Sequence, residues 1–344
     1  MIQLRTTIRS VLLGALVACA AFARDEYTRA FDKTLPLASG STVSIEHRLG
    51  DIVIRTHPER TVVIHAEIHT SGPDRNEAEQ FANRVEIQGE NAGGVSIRTH
   101  YPGGLNNFSY YVRYELTIPE DAPLEVRSSF GSVSITGLRA NAEIRTSHGA
   151  IAFRDGKGEQ HFDNSFGAVE VSGNLGEVAV NNTNGQIKVM DCGSATIKNA
   201  FGAVVVKNAR GMVTIEDKNG SVNVNGAQGV VVDMSFGSVV LNAISGPVQV
   251  DNRYGSVEVG GLGGSSCQPI KIHTSYSAIR VRLSGSPNYN VTAKTSYSPI
   301  HTDFPLETSG SMSSDAVHGT IGGGRCEMSL TSSFGPIQIL RSGN

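Results

Sequence analysis

The sequence predicts an all-β protein, a parallel β-solenoid with about 18 residues per coil. Three observations predict this class. The 344 residues include 39 glycines and no tryptophan, and the strand-forming residues Val, Ile and Thr are abundant. A glycine preceded by an aromatic residue, His or Asn recurs every 17 or 18 residues. After each such glycine apolar and polar residues alternate, and this period of two indicates strands and excludes stacked helix pairs.

Residues 1–23 are predicted to be a signal peptide. Two arginines precede VLLGALV (11–17), an apolar run too short to span a bilayer as a helix. Two processing sites stay open. AFA (21–23) fits ordinary cleavage, whereas LVAC (16–19) resembles a lipobox that would lipidate Cys19. Both predict export to the periplasm or cell envelope, as an outer-membrane lipoprotein or otherwise as a secreted protein. Membrane attachment is expected only through that lipid.

Residues 24–126 are predicted to form the N-terminal part and cap of the solenoid. HRLGDIVIRT (47–56) already has the glycine and the two aliphatic residues of a coil. RTVVIHAEI (60–68) and YYVRYELTIPE (110–120) predict longer strands. Residues 73–83 predict the one short helix, with apolar residues at helical spacing. Repeat stacks need such caps because a bare end coil exposes an unpaired strand edge.

Residues 127–344 are predicted to be regular solenoid repeats with an irregular C-terminal portion. The repeating glycines are Gly131, Gly149, Gly167, Gly185, Gly202, Gly220, Gly237 and Gly255. Apolar residues stand two and four positions after each glycine, and a second alternating pair follows in most units. A unit of this length cannot bury its own apolar face. Stacked units can, each adding a rung about 4.8 Å above the last.

Two polar columns are expected from the same alignment. Four residues before each glycine an outward column holds residues of both charges, in which Arg145 faces Asp163 and Lys198 faces Glu216. Three residues before the glycine a ladder of short polar side chains is expected, with amides that hydrogen-bond from coil to coil. This ladder comprises Asn164, Asn182, Asn199, Asp217 and Asn252.

The residue before the glycine is often aromatic. This column holds Phe130, Phe166, Phe201, Phe236 and Tyr254, alternating in its first part with His148, Asn184 and Asn219. It continues at Tyr276 and Tyr297, where Ser277 and Ser298 replace the glycine, and at Phe334. In one interpretation the rings cover the coil corner and pack against rings above or below. In the other they form a surface strip that stacks on sugar rings. The first is favoured because no specific polar group accompanies every ring.

The cysteines predict one disulfide bond. Cys192 occupies a repeat position otherwise filled by Leu or Ala, which indicates a small buried residue. Cys267 and Cys326 lie in irregular Gly/Ser-rich segments, and export permits a bond between them.

The register of the repeats loosens in the C-terminal part of the chain. SYSAIRVRL (275–283), SYSPIHTDF (296–304) and SSFGPIQIL (332–340) still read as coils, while residues 307–325 predict an exposed loop or irregular coil.

No catalytic, cofactor or metal-binding motif is found in the sequence. There is no G-x-S-x-G elbow, P-loop, dinucleotide-binding glycine motif or C-x-x-C pair. The formal net charge of −3 gives no reason to expect nucleic acid as a partner. Two carboxylates converging with Lys or Arg in a groove would favour an enzyme. The aspartates are instead scattered along the repeats, and we expect them to be solvated surface charges.

The run [N/S]-[F/Y/N]-G-[S/A]-[V/I]-x-[V/I], together with LGDIVIRT and YELTIPEDAPLEV, resembles a bacterial β-strand-repeat family of unknown function whose members are labelled adhesins. The resemblance covers roughly residues 40 to 340. It implies a β-solenoid in an envelope or extracellular setting, and it carries no catalytic residues.

Three hypotheses of function follow. The first is a non-enzymatic exported cell-envelope protein, an adhesin or scaffold, whose unknown partner is a glycan or an envelope or cell-surface protein. The second is a carbohydrate-binding or polysaccharide-active β-helix protein. The third is an envelope sensor, which only neighbouring genes could support.

Overall fold

The computed structural model describes residues 25–103, 108–262, 268–308 and 316–342. The predictions for residues 1–23, Cys19 and Cys267 therefore concern positions outside the described residues. Within the described ranges the chain has one helix and 31 strands. They form two long sheets whose pairing is mostly parallel, which confirms the predicted all-β solenoid.

The N-terminal region contains seven strands and the helix. They are β1 (Asp25–Pro36), β2 (Val43–Leu49), β3 (Ile52–His57), β4 (Thr61–Gly72), α1 (Arg75–Arg84), β5 (Glu86–Asn91), β6 (Val95–His100) and β7 (Ser109–Pro119). The long strands and the short helix expected in this region are present.

The regular repeats follow as sixteen short strands, two to a coil. They are β8 (Leu124–Phe130), β9 (Val133–Thr136), β10 (Ala142–His148), β11 (Ile151–Arg154), β12 (Gln160–Phe166), β13 (Val169–Ser172), β14 (Glu177–Asn184), β15 (Ile187–Met190), β16 (Ser194–Phe201), β17 (Val204–Lys207), β18 (Met212–Asn219), β19 (Val222–Ala227), β20 (Gly229–Phe236), β21 (Val239–Ile244), β22 (Val248–Tyr254) and β23 (Val257–Leu262).

The C-terminal part holds the remaining strands. They are β24 (Ile270–Thr274), β25 (Ile279–Leu283), β26 (Tyr289–Thr295), β27 (Ile300–Thr302), β28 (Glu307–Thr308), β29 (Ala316–Ile321), β30 (Cys326–Ser332) and β31 (Ile337–Arg341).

Each regular coil gives one strand to each sheet, and equivalent residues of successive coils pair in parallel register. In the first sheet Val133, Ile151 and Val169 pair in succession, and all three are buried. In the second sheet Ile144 pairs with Phe162 in the same way. The inward side chains therefore build one continuous aliphatic interior between the sheets, as the alternation predicts.

The stacking order departs from chain order at both ends. The coil formed by β2 and β3 lies directly against β8 and β9, while β6 and β7 lie outside it. At the other end the last coil, β30 and β31, inserts between β24–β25 and β26–β27. The motif identifies coils but does not say which coils are neighbours, because every coil presents equivalent edges.

The prediction of an exposed loop or irregular coil at residues 307–325 is wrong in part. Strands β28 and β29 lie in this segment, and β29 pairs antiparallel with β26. An antiparallel strand at this position covers a parallel edge that would otherwise be open to pairing with another chain.

The opposite end is covered by helix α1. Asp74 caps the helix by accepting a hydrogen bond from the Glu77 amide at 2.8 Å. Phe81 is fully buried beneath the helix and stacks on Phe108. Arg29 of β1 donates to the carbonyl of Val85 at 2.7 Å, which ties the edge strand to the end of the helix. The domain boundaries at residues 23 and 126 stay predictions.

Candidate functional site

The corner glycines bring successive coils into close contact. Gly149 has a φ of 150° and Gly167 a φ of 135°, a region that residues with a Cβ rarely adopt. A Cβ on Gly167 would also overlap the carbonyl oxygen of Gly149. Only glycine satisfies both constraints. The side chains just before each glycine therefore line up in straight columns along the solenoid.

The aromatic residues before the glycines form two ring stacks on the outside of this corner. Phe130, His148 and Phe166 stack at centroid distances of 4.8 and 4.9 Å. The second stack has five rings in the spatial order Phe236, Tyr254, Tyr276, Phe334 and Tyr297, with centroid distances from 4.8 to 5.1 Å. Inside a stack the ring faces cover one another, and only the ring edges meet solvent.

Phe201 lies between the two ring stacks and belongs to neither of them. Its strand neighbours in register are Asn184 on one side and Asn219 on the other. Among the described residues Phe201 contacts no other ring, and 52 % of it is exposed. The column thus has two gaps where ring faces are not covered by rings.

A groove of about 1420 Å³ runs beside the column. It crosses nine neighbouring strands of the second sheet, from β6 to β20, which at about 4.8 Å per rung is roughly 38 Å long. A row of side chains lines it immediately before the ring positions, and all but Lys218 are short: Ser129, Ser147, Ser165, Thr183, Ala200, Lys218 and Ser235. This row was not singled out from the sequence, although the Ser or Thr residue that precedes most positions of the column is its signal.

The outward charged column forms one wall of the groove. Arg145 contacts Asp163 at 3.3 Å and Lys198 contacts Glu216 at 3.2 Å, as predicted. All four side chains are partly exposed, so each pair contributes at most about 1 kcal/mol. The coils from β6 to β10 also bring four arginines to the groove, namely Arg48, Arg98, Arg127 and Arg145. That end of the groove is therefore the more basic one.

The inward polar ladder works differently from the expectation. One amide–amide hydrogen bond is present, from Asn182 to Asn199 at 3.5 Å. The amide nitrogens bind mainly to corner carbonyls instead. Asn164 donates to the carbonyls of Gly149 and Gly167 at 3.2 and 3.1 Å. The reason is that these buried carbonyls would otherwise lack a donor, and the amide lies within reach of two of them.

Asp217 occupies the same ladder position but cannot donate when ionised. Its side chain is buried, and neither carboxylate oxygen has a hydrogen-bond partner. Burial raises the pKa of Asp217 to about 6, because desolvation outweighs the weaker attraction of the Asn219 and Lys218 backbone amides. Asp217 is a poor candidate for catalysis because its carboxyl group is shielded from solvent.

One cluster meets the carboxylate criterion for an enzyme. Arg145 contacts both Glu143 and Asp163, and His161 lies 3.2 Å from Asp163. Desolvation raises the pKa of Asp163, but the hydrogen bond from Asn181 and the nearby His161 and Arg145 together lower it below its usual range. A carboxylate held in its ionised form is an ion-pair partner rather than a proton donor. Glu143 and His161 were missed in the sequence, although both stand two residues before outward-column positions.

Other candidate chemistry is limited. Within the described ranges no group of three or more His, Cys, Asp or Glu side chains is placed to hold a metal ion. No helix in the part of the chain that the structure describes is long and apolar enough to cross a bilayer. Cys192 is buried and free, and burial raises the pKa of its thiol to about 11. Cys326 is disulfide-bonded. Its predicted partner Cys267 lies outside the described residues, so that pairing stays a prediction.

Comparison with known proteins gives a family match. The family model described as Toastrack DUF4097 matches residues 41–340. A comparison with curated proteins found no match. Similar solved structures include a "putative cell adhesion protein" from Clostridium sporogenes and a "putative adhesin" from Parabacteroides distasonis.

The first of these structures is 9 % identical, with 92 % of this chain and 100 % of that chain covered and a TM-score of 0.19. The second is 8 % identical, with 91 % and 97 % covered and a TM-score of 0.28.

Proposed function

The chain belongs to the Toastrack DUF4097 family, and we propose that it is a non-enzymatic exported adhesin or scaffold of the cell envelope. Its attachment surface is the groove together with the part of the aromatic column between Phe166 and Phe236, where ring faces are not covered by other rings. The observation that carries this proposal is the length of the groove, which crosses nine rungs without a break.

The surface is rigid because of how its corners are built. Corner glycines stack backbone on backbone, ladder amides bind their carbonyls, and rings stack outside them. A preformed surface loses little conformational entropy on binding, which favours attachment to an extended partner. Short hydroxyl and amide side chains along the groove suit a glycan or a polar protein surface.

The attachment surface is tested by blocking the groove. Ser165→Trp places a large side chain in the middle of the groove, and Ser134→Trp places the same side chain on the outer face of the first sheet. We expect the first variant to lose saturable binding of the mature protein to intact cells, and the control to keep it. Wild-type protein without saturable binding, or equal binding of both variants, would overturn the proposal.

A polysaccharide-active enzyme is the second candidate, favoured by the cluster of Glu143, Arg145, His161 and Asp163. It is less well supported because the pKa of Asp163 is lowered, so this carboxyl group is held ionised and cannot serve as the general acid. Release of reducing ends from a polysaccharide by wild-type protein, lost in Asp163→Asn, would favour it over the adhesin.

Export is proposed from the sequence of residues 1–23. We propose ordinary cleavage after Ala23, with Cys19 removed, because no long flexible tether follows Cys19. The mass of the mature protein purified from its native host tests this. A protein beginning at Arg24 supports the proposal, and a lipid-modified Cys19 at the N-terminus would replace it with an outer-membrane lipoprotein.

A further inference from the structure

We propose that the two gaps in the aromatic column are sugar-binding slots. The first slot lies at Asn184, between Phe166 and Phe201, and the second lies at Asn219, between Phe201 and Phe236. Each takes one pyranose ring from the chain end of a neutral glycan. This inference rests on the proposed attachment function and names the ligand class of that surface.

The width of each slot follows from the stacks on either side. Neighbouring rings in the column are 4.8 to 5.1 Å apart, and each rung of the sheet carries one column residue. Where Asn replaces a ring, the flanking rings are two rungs apart, about 9.6 Å. One flat ring placed midway would lie at normal stacking distance from both walls. A slot therefore accepts a single layer one ring thick.

The asparagines form the floors of the slots. The Asn and Phe side chains have the same length as far as Cγ. The Asn amide ends one bond beyond Cγ, whereas the Phe ring extends three bonds beyond it. The outer part of each flanking ring therefore extends past the amide and leaves two facing aromatic walls. The floor offers one acceptor and two donors. Thr183 beside the first slot and Lys218 beside the second add polar groups at the groove rim.

These features select a sugar over other ring ligands. A pyranose presents C–H groups on its faces, which pack on aromatic walls, and hydroxyl groups on its edge, which pair with amides. Beside the first slot the groove is lined by the uncharged polar groups of Asn181, Asn182 and Thr183. Beside the second slot it is lined by Glu216 and Lys218, whose side chains are exposed. A neutral sugar therefore meets polar groups at the first slot and leaves the charges at the second in solvent. The slots open edge-on, so a chain-end sugar can enter, whereas a sugar within a chain lying along the column cannot.

Filling the slots separates this role from a structural one. Asn184→Phe with Asn219→Phe completes the ring stack from Phe130 onward. The double variant should melt at a higher temperature, because new ring pairs form, and should bind immobilised neutral polysaccharides at least about tenfold more weakly. The probes are mannan, galactomannan, dextran and xylan. His148→Phe is the control, since it replaces one covered ring by another and should leave binding unchanged.

Each outcome decides the proposal. Increased stability together with lost glycan binding supports it. Unchanged glycan binding in the slot-filled variant overturns the slots but leaves the attachment function intact. Wild-type protein that binds cells but none of the four polysaccharides also overturns the slots, and protein that binds neither overturns both proposals. A wild-type dimer in sedimentation that dissociates on slot filling would show that the slots hold rings of a second copy instead.

Discussion

Asp217 lies one rung from Asn199 in the buried ladder, at the position where an amide binds a corner carbonyl. Asn199 donates to the carbonyl of Gly202 at 3.1 Å. Asp217 has the same placement relative to Gly220, but an ionised carboxylate brings only acceptors to a carbonyl. A protonated carboxyl group can donate there, which agrees with the pKa of about 6. The ladder thus contains one position whose protonation matters for stability.

Asp217→Asn should stabilise the protein in a pH-dependent way. In the unfolded chain an Asp pKa is about 3.9, and folding raises it to about 6. The folded state therefore binds more protons between these values, and wild-type stability falls as pH rises through this window. The Asn variant does not titrate. At pH 8 we expect it to be more stable by about 2–3 kcal/mol, and this gain should shrink towards pH 4.

Urea unfolding at pH 4, 6 and 8 measures this effect. Asp233→Asn is the matched control, because it removes an exposed carboxylate on the next strand, β20. The control should change stability by a few tenths of a kcal/mol at each pH. A gain for Asp217→Asn that is the same at all three values would contradict protonation of the buried carboxyl group.

Much of the regular fold could be predicted because its period is short and strict. One glycine position fixes the strand register, and the register fixes which side chains pair, so the Arg145–Asp163 contact followed from the sequence. The insertion of β30 and β31 between earlier coils could not be predicted from the sequence, because coils with equivalent edges can stack in several orders. The groove also needed the structure, since its depth depends on how the sheet and the ring column are inclined to each other.

Gly167→Ala should be severely destabilising. Its φ of 135° is unfavourable for alanine, and the new Cβ would overlap the carbonyl oxygen of Gly149. Both coils must shift, so we expect a loss above about 3 kcal/mol in urea unfolding. Gly285→Ala is the control. Its φ of 68° is also positive, but no heavy atom lies within 4 Å of the added Cβ. A loss there of about 1 kcal/mol is expected. Equal losses at the two sites would contradict close corner stacking.

Ala243→Gly should be mildly stabilising. Ala243 has a φ of 54°, and the equivalent positions on the neighbouring coils are Gly226 and Gly261, both with positive φ. The left-handed conformation costs a residue with a Cβ about 1–2 kcal/mol, while glycine adds about 0.5–1 kcal/mol of unfolded-state entropy. A net gain of up to about 1.5 kcal/mol is expected, measured as a higher melting temperature. Ala152→Gly, in strand β11, should lower the melting temperature instead. A higher melting temperature in both variants would refute the idea that the positive φ of Ala243 is unfavourable.

Tyr276→Ala tests whether covered rings are structural. Tyr276 stacks between Tyr254 and Phe334 at 4.8 and 5.1 Å, so neither of its faces is open to a ligand. Removing it breaks two ring contacts worth about 0.5–1.5 kcal/mol each. We expect a lower melting temperature with cell binding unchanged. Lost cell binding at an unchanged melting temperature would assign the covered stack to recognition.

The cysteines should separate into one inert thiol and one disulfide bond. Cys192 is fully buried with a pKa of about 11, so iodoacetamide should not label it in the native protein. Cys326 is bonded, and we predict that peptide mapping without reduction will link it to Cys267. Cys267→Ser should then leave Cys326 reactive and lower the melting temperature, because the linkage restrains the unfolded chain. Cys192→Ala is the control for the loss of a cysteine elsewhere, because alanine occupies the equivalent repeat positions Ala209 and Ala227. A linkage from Cys326 to any other residue would exclude the predicted pair.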